Sequence, residues 1–206
     1  MDGISDQKAK LRRAVLHRRH GTSQEIRDAS GKRLADAAID AGIVQANATI
    51  ACFVSMGSEV PTSALLDHFL DIHAQILVPR LGSGLDMGWS RYSGAAGLVD
   101  MGGHRPAEPT DRTLPADALA QASTIFVAAL AVDRLGNRLG RGAGWYDKAL
   151  RYRNQESRII AICWPWEFSD RPVPHSSFDV RVDGVLTPRS FTPIDKLQDA
   201  RPYAVQ

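Results

Sequence analysis

The hydrophobic and polar positions first predict three helices in the N-terminal third of the chain. Residues 5–20 are rich in charge and are interpreted as a basic helix, and a second helix is predicted from Thr22 to about Ala41. Glu25 follows Thr22 by three positions, the spacing of a capping box at a helix N-terminus. A third helix is predicted over 61–72, because its apolar residues fall on one helical face: Leu65, Leu66, Phe69 and Leu70.

Short apolar runs rich in β-branched residues predict the strands. They cover residues 49–54, 75–79, 123–130, 158–163 and 181–187, and one or two more are expected within the Gly- and Pro-rich segment 82–115. Strands that alternate with helices favour a parallel sheet covered on both faces. We therefore predict an α/β fold, a single three-layer α/β/α domain over residues 1–206 with a largely parallel central sheet.

Composition narrows the class of protein. The net charge of +2 gives little support for a nucleic-acid partner, although much of the positive charge is concentrated in 8–20 and 134–153. Cys52 and Cys163 lie in apolar runs and are expected to be buried core thiols. The six histidines show no zinc-binding spacing, and no apolar run approaches the roughly 20 residues that span a bilayer. We expect no secretory signal and no membrane partner, and hence a cytoplasmic protein.

The stretch RLGNRLGRGAGWYDKAL, residues 134–150, carries the candidate chemistry. It lacks the Lys-Ser/Thr of a P-loop, and the phase of a dinucleotide-binding motif is broken at Trp145. A strand, a glycine-rich loop and a helix nevertheless offer backbone N–H groups to an anion, and Arg138 and Arg141 can add bidentate contacts. Asp147 can bind Mg²⁺ through an oxygen, and the aromatic pair Trp145-Tyr146 can stack on a planar ring or exclude water. The alternative is a solvated Gly/Arg turn with both aromatic residues in the core.

Residues 130–150 closely resemble the signature of the 5-formyltetrahydrofolate cyclo-ligase family, also called methenyltetrahydrofolate synthetases. Lys8 with Arg12 and four further segments fall in the family's order and spacing: 53–62, 76–80, 107–109 and 174–187. The resemblance covers nearly the whole chain. It implies a monomeric three-layer α/β ligase of one-carbon metabolism that converts 5-formyltetrahydrofolate to 5,10-methenyltetrahydrofolate, ADP and phosphate. ATP is the co-substrate and Mg²⁺ the cofactor. ATP would phosphorylate the formyl oxygen before N10 attacks.

The resemblance also implies the site residues. The nucleotide would be bound by Lys8, Arg12, Arg138, Leu139, Gly140, Arg141, Gly142, Ala143, Gly144, Trp145 and Tyr146. The folate would be bound by Val54, Glu59, Arg141, Gly142, Ala143, Gly144 and Trp145. Mg²⁺ would be bound by Asp147 and Asp179, and the residues expected at the reacting groups are Arg141, Tyr146 and Asp147.

These assignments suit the chemistry, because phosphoryl transfer needs positioning and charge neutralisation, and no covalent nucleophile. Lys8 and Arg12 are four residues apart and share a helix face, although they can also be solvated charges. Glu59 can pair with the N–H edge of a pterin or cap the helix near Thr62. Asp179 can be an ordinary turn residue, as Asp133 is expected to be.

Three positions depart from the family pattern. Ala143 stands where many relatives carry lysine, His104 near a position that is often aromatic, and Glu167 about where glutamine is common. A non-catalytic or retuned relative that binds folate or ATP therefore stays an alternative. A small nucleic-acid-binding protein is a second alternative, which requires the two basic segments to form one continuous stripe.

Overall fold

The structure is a computed structural model that describes residues 3–81, 87–102 and 105–195. It has four α-helices within these ranges, named α1 (Ile4–His20), α2 (Gln24–Asp40), α3 (Ser63–Asp71) and α4 (Trp145–Ala149). Short 3₁₀ helices occur at Ala95–Gly97, Ala116–Gln121, Leu150–Tyr152 and Pro165–Glu167. The strands are β1 (Thr49–Ala51), β2 (Gln75–Leu81), β3 (Met87–Tyr92), β4 (Leu98–Val99), β5 (Glu108–Pro109), β6 (Thr124–Ala128), β7 (Ala131–Asp133), β8 (Arg138–Leu139), β9 (Arg158–Ile162), β10 (Phe168–Ser169), β11 (Gly184–Leu186) and β12 (Phe191–Pro193).

The three predicted N-terminal helices are all present, but the cap predicted for the second one is wrong. Helix α2 is capped by Ser23, whose hydroxyl accepts a hydrogen bond from the N–H of Ile26 at 3.3 Å. Thr22 belongs to the turn after α1, where its N–H bonds to the carbonyl of Arg19. Serine and threonine are both favourable N-cap residues, so side-chain chemistry does not explain why the cap is Ser23 and not Thr22. The reason is that the turn after α1 includes Thr22, so that α2 begins one residue later.

The prediction of a largely parallel central sheet is confirmed. Seven strands form it in the order β12-β11-β9-β6-β1-β2-β3, and the five inner strands are parallel. Only the edge strands β3 and β12 run antiparallel to their neighbours. Three strands, β3, β4 and β5, lie within 82–115, where one or two were expected. Two smaller sheets were not predicted as sheets: β10-β7-β8 and the pair β4-β5.

Helices cover the central sheet on both faces, which gives the predicted three layers. Successive residues of β9 alternate between the faces, so that Ile160 and Ile162 pack with α2 and α3. Ile159 and Ala161 pack on the opposite face, with the 3₁₀ helix Ala116–Gln121 and with α4 and the turn after it. Cys52 and Cys163 are buried in the two cores, one in each, and burial raises the pKa of the Cys52 thiol to about 12.

The direction of chain progression reverses between β1 and β6, which are adjacent in the sheet. From β1 the chain moves outward to β2 and β3, and from β6 it moves the other way to β9 and β11. Such a reversal opens a crevice at the carboxyl ends of the two strands, where open α/β sheets bind their ligands. Both strands also end earlier than predicted, at Ala51 and Ala128, and the residues that follow turn into this crevice.

Within the described residues, no helix is both long enough and apolar enough to cross a bilayer. The single domain over the full length stays a prediction.

Candidate functional site

A cavity of about 320 Å³ lies at the carboxyl ends of β1, β2 and β6. Its walls include Phe53 after β1, Pro79 near the end of β2 and Ala129 after β6. Every residue that the sequence predicts for the site lines this one cavity: Lys8, Arg12, Val54, Glu59, residues 138–147 and Asp179. The fold therefore brings together side chains from four separate stretches of the chain.

Helix α1 contributes two cations that point into the cavity, as their four-residue spacing predicts. Lys8 Nζ lies 2.5 Å from Asp179 Oδ2, and Arg12 Nε donates to the carbonyl of Gly140 at 2.8 Å. Asp179 also accepts hydrogen bonds from the N–H and hydroxyl of Ser176, so it is a turn residue as well as the partner of Lys8. Burial alone would raise the pKa of Asp179, but these hydrogen bonds and the charge of Lys8 hold it below the usual value.

The glycine-rich loop, residues 140–144, connects β8 to α4. Gly142 has a φ of 110°, and a Cβ there would lie 3.3 Å from Cζ of Arg12, so the missing side chain lets the guanidinium lie against the loop. Helix α4 has only five residues. Its dipole is correspondingly small, and the cations of α1 and the loop supply most of the positive potential at this site.

The last part of the loop and the first turn of α4 lie against buried groups. Arg138 Nη2 donates to Asp147 Oδ1 at 2.8 Å, and the N–H of Val180 donates to the same oxygen at 3.4 Å. The Trp145 ring packs edge-on against Tyr146 and against Trp89 of the core. The aromatic pair is thus half-buried and lines the cavity, which combines the two readings of the sequence. Burial raises the pKa of Tyr146, so its phenol stays protonated at neutral pH.

The opposite wall carries Val54 and a buried carboxylate, Glu59. Glu59 Oε2 accepts from the N–H of Met56 at 3.0 Å, and Oε1 accepts from Arg141 Nε at 3.2 Å. The alternative that Glu59 caps α3 is wrong. The N-cap residue of α3 is Thr62, and the Glu59 carboxylate accepts its hydrogen bonds from Met56 and Arg141 instead. Glu59 therefore presents negative charge to the cavity from a fixed position.

Among the cavity residues that sequence reasoning missed, the charged one is Arg19, which is 1% exposed and lies near the end of α1. It pairs with Glu167, one of the three departures, at 2.6 Å between Nε and Oε1. Burial raises the pKa of Glu167, although Arg19 and the N–H of Trp164 oppose that rise. A signal was available, because Arg19 follows Arg12 by seven residues and so falls on the same face of the helix.

The other two departures have different positions. Ala143 lies exposed in the glycine-rich loop at the cavity, and His104 lies outside the described residues. Asp133, expected in a turn, indeed accepts from the N–H groups of Leu135 and Asn137 in the β7–β8 hairpin.

Carboxylates are the candidate metal ligands. Asp147 Oδ2 and Asp179 Oδ1 receive no hydrogen bond from the residues that the structure describes, and both side chains line the cavity. No group of three or more His, Cys, Asp or Glu side chains that could hold a metal ion occurs in the described ranges. A cation bound by these two carboxylates would need further oxygen ligands, such as backbone carbonyls, water or a bound phosphate.

Known proteins resemble this chain over almost its whole length. A protein named 5-formyltetrahydrofolate cyclo-ligase from Mycolicibacterium smegmatis is 34% identical over 88% of this chain and 94% of its own. The protein of the same name from Mus musculus is 26% identical over 89% of this chain and 94% of its own.

Solved structures show the same fold. The 5,10-methenyltetrahydrofolate synthetase of Aquifex aeolicus superposes with a TM-score of 0.75, covering 96% of both chains at 22% identity. That of Mycoplasma pneumoniae has a TM-score of 0.68 and covers 88% of this chain and 98% of its own at 17% identity. The model of the 5-formyltetrahydrofolate cyclo-ligase family matches residues 4–188. The chain therefore belongs to the 5-formyltetrahydrofolate cyclo-ligase family.

Proposed function

We propose that this chain catalyses the ATP- and Mg²⁺-dependent conversion of 5-formyltetrahydrofolate to 5,10-methenyltetrahydrofolate, ADP and phosphate. The relatives named above support the ligase class. The observation that carries the proposal for this chain is the convergence on one cavity of α1, the glycine-rich loop, two carboxylates and Glu59. Because one copy of the chain supplies all of these groups, we propose that a cytoplasmic monomer carries out the reaction.

The nucleotide would lie between α1 and the glycine-rich loop. Lys8 and Arg12 come from one side and Arg141 from the other, so three cations can neutralise the phosphates. Arg12 is already held by the carbonyl of Gly140, which reduces the entropy that it would lose on binding a phosphate. We infer that this pre-organisation lets the loop orient the terminal phosphoryl group.

Mg²⁺ fits the two carboxylates. It prefers oxygen ligands and is commonly bound by one or two carboxylates together with substrate phosphates. Asp147 and Asp179 each keep one carboxylate oxygen without a hydrogen bond from the described residues, and they would hold the ion beside the phosphates. When bound, the ion would neutralise charge on the phosphoryl oxygens. Arg138 would keep Asp147 oriented through the 2.8 Å bond to its Oδ1.

The folate would lie between Val54 and Glu59 on one side and Trp145 on the other. Glu59 can accept hydrogen bonds from the N–H edge of the pterin, and Trp145 can cover a ring face. In the proposed reaction the formyl oxygen attacks the terminal phosphorus and ADP leaves. N10 then attacks the formyl carbon and loses its proton, and phosphate departs with the former formyl oxygen as the ring closes.

Tyr146 and Arg141 are the residues that we place nearest the transferred group. Tyr146 is a protonated phenol at neutral pH, because burial raises its pKa, so its O–H group can donate a hydrogen bond. Arg141 is held at 3.2 Å by Glu59, which joins the proposed folate side of the cavity to the proposed nucleotide side. Both residues would stabilise negative charge that develops on the transferred phosphoryl group.

A direct assay tests the proposal. The purified chain is mixed with 5-formyltetrahydrofolate, ATP and Mg²⁺, and the near-ultraviolet absorbance of 5,10-methenyltetrahydrofolate is followed. We expect the band to grow only when ATP and Mg²⁺ are both present. A flat trace from protein that still binds ATP and folate would contradict catalysis and favour a non-catalytic relative that binds the same ligands.

A further inference from the structure

Arg19 is a buried cation that lines the cavity, and the proposed function gives it no role. Its side chain is 2% exposed, and it lies one helical turn beyond Val15, the other buried residue of α1. Burying a guanidinium is expensive unless its hydrogen bonds are made. Three of them are made to the protein, which fixes where the remaining donors point.

Two partners hold the guanidinium. Glu167 takes a bidentate pair, with Nε to Oε1 at 2.6 Å and Nη2 to Oε2 at 2.7 Å. Nη2 also donates to the carbonyl of Ala129, just after β6, at 2.7 Å. Glu167 is fixed in turn, because its Oε2 accepts from the N–H of Trp164 at 2.9 Å. The plane of the Arg19 guanidinium is therefore set by two groups that follow neighbouring strands of the central sheet, Ala129 after β6 and Glu167 after β9.

The third nitrogen, Nη1, has no hydrogen-bond partner among the described residues. Nη1 is not buried either, because it is absent from the set of fully buried side-chain atoms without a hydrogen-bond partner, which includes Arg27 Nε and Arg138 Nε. Because the rest of the side chain is enclosed and Arg19 lines the cavity, the small accessible part of the guanidinium faces the cavity. Nη1 thus offers two N–H donors to a bound molecule.

Arg19 lies on the Glu59 side of the cavity. Trp164 Nε1 donates to the carbonyl of Ser58 at 3.0 Å, so the turn that holds Glu167 contacts the residue before Glu59. Burial is the main cause of the raised pKa of Glu167, and the charge of Glu59 adds to it, as expected of neighbouring carboxylates. A fixed acceptor, Glu59, and a fixed donor, Arg19, therefore occur together on this wall.

The pterin ring of a folate has a complementary edge. Its 2-amino group and N3–H are donors, and the adjacent C4 carbonyl is an acceptor. We propose that Arg19 is a ligand-binding residue that donates from Nη1 to the pterin C4 carbonyl while Glu59 accepts from the neighbouring N–H groups. This assignment rests on the proposed function. It makes the Arg19–Glu167 pair part of substrate recognition as well as a link between α1 and the sheet.

The test pairs a change in the protein with a change in the ligand. The two probes are 5-formyltetrahydrofolate and its 4-amino-4-deoxy analogue, in which a donor replaces the C4 carbonyl, and binding of each is measured by calorimetry. Arg19→Lys keeps the positive charge but lacks the second terminal nitrogen that would donate into the cavity. Arg18→Lys is the matched control, because it makes the same substitution at the neighbouring, exposed arginine of α1, which does not line the cavity.

We expect the wild-type chain and Arg18→Lys to prefer the 4-oxo ligand by about 10-fold or more, the size of a hydrogen bond to a charged group. N3 of the analogue carries no hydrogen, so the part of the preference that is due to Glu59 should remain. Arg19→Lys should therefore lower the ratio by about 10-fold and leave the Kd of MgATP unchanged within about 3-fold. If Arg19→Lys does not fold, the double variant Arg19→Met with Glu167→Gln, which leaves no charge in the buried pair, is used in its place.

A ratio that is the same in the Arg19 variants and in the wild type would overturn the assignment and leave Arg19 a structural residue. A loss confined to MgATP would also overturn it, since the guanidinium would then contact phosphate. Failure of the wild-type chain to bind 5-formyltetrahydrofolate at all would instead remove the proposed function. The two failures are therefore distinguishable.

Discussion

The two carboxylate oxygens of Asp147 have different roles: one makes structural hydrogen bonds and the other is the proposed metal ligand. Its Oδ1 is engaged by Arg138 and Val180, whereas Oδ2 receives no hydrogen bond from the described residues. Asp147→Asn keeps a carbonyl oxygen for Arg138 and removes the charge that a metal ion needs. We expect kcat to fall on the order of 100-fold, the usual size of losing one group that stabilises transition-state charge, with the fold retained.

Asp170→Asn is the control for that variant, because Asp170 is an exposed carboxylate paired with Arg134 at 2.7 Å. Its kcat should equal that of the wild type, since exposed ion pairs contribute little. The measurement is initial velocity against Mg²⁺ concentration, with circular dichroism to confirm folding. Wild-type kcat in Asp147→Asn would exclude Asp147 as a metal ligand.

Helix α1 is the element that joins the sequence pattern to the site. The family resemblance implied Lys8 and Arg12, and their spacing was consistent with it, because two residues four apart in a helix share a face. Arg19 lies on the same face, seven residues after Arg12, but was counted only among the charges of the basic helix 5–20. What identifies it is Glu167, which is 148 residues away in the chain. The spacing from Arg12 could have placed Arg19 on the cavity face, but no local pattern contains the contact with Glu167, which only the folded structure reveals.

The cap of α2 is an element-scale feature that mutation can check. Ser23 accepts from the N–H of Ile26, so Ser23→Ala should lower the free energy of unfolding by about 1 kcal/mol. Thr22→Ala is the matched control and should cost clearly less, because no hydrogen bond of its side chain caps the helix. Urea denaturation of both variants measures the difference. Equal losses, or a greater loss for Thr22→Ala, would restore the capping box that the sequence suggested.

At the scale of the whole molecule, the parallel strands and both helical layers were predictable, because each central strand is a continuous apolar run. The small sheet β10-β7-β8 was not, since its strands have only two or three residues and no distinct periodicity. The predicted strands 49–54 and 123–130 were too long for a related reason. Their last apolar residues, such as Val54 and Leu130, line the cavity and leave the sheet ladder. Hydrophobicity alone does not distinguish a cavity wall from a core.

Elements that are distant in the chain line the two sides of one cavity, so each ligand should stabilise the whole molecule. A substitution on one side should reduce the binding of one ligand and leave the binding of the other unchanged. A ligand at 100 times its Kd adds about 2.7 kcal/mol to the free energy of unfolding, which for a chain of this size raises Tm by roughly 5–10 °C. We expect 5-formyltetrahydrofolate and MgATP each to produce such a shift in the wild type.

Glu59→Gln should reduce the folate shift and keep the MgATP shift, because Glu59 lies on the wall assigned to the pterin. Asp147→Asn should show the reverse. Differential scanning fluorimetry of the three proteins with each ligand gives this crossed pattern, and parallel losses in both variants would mean that the two walls do not bind separate ligands.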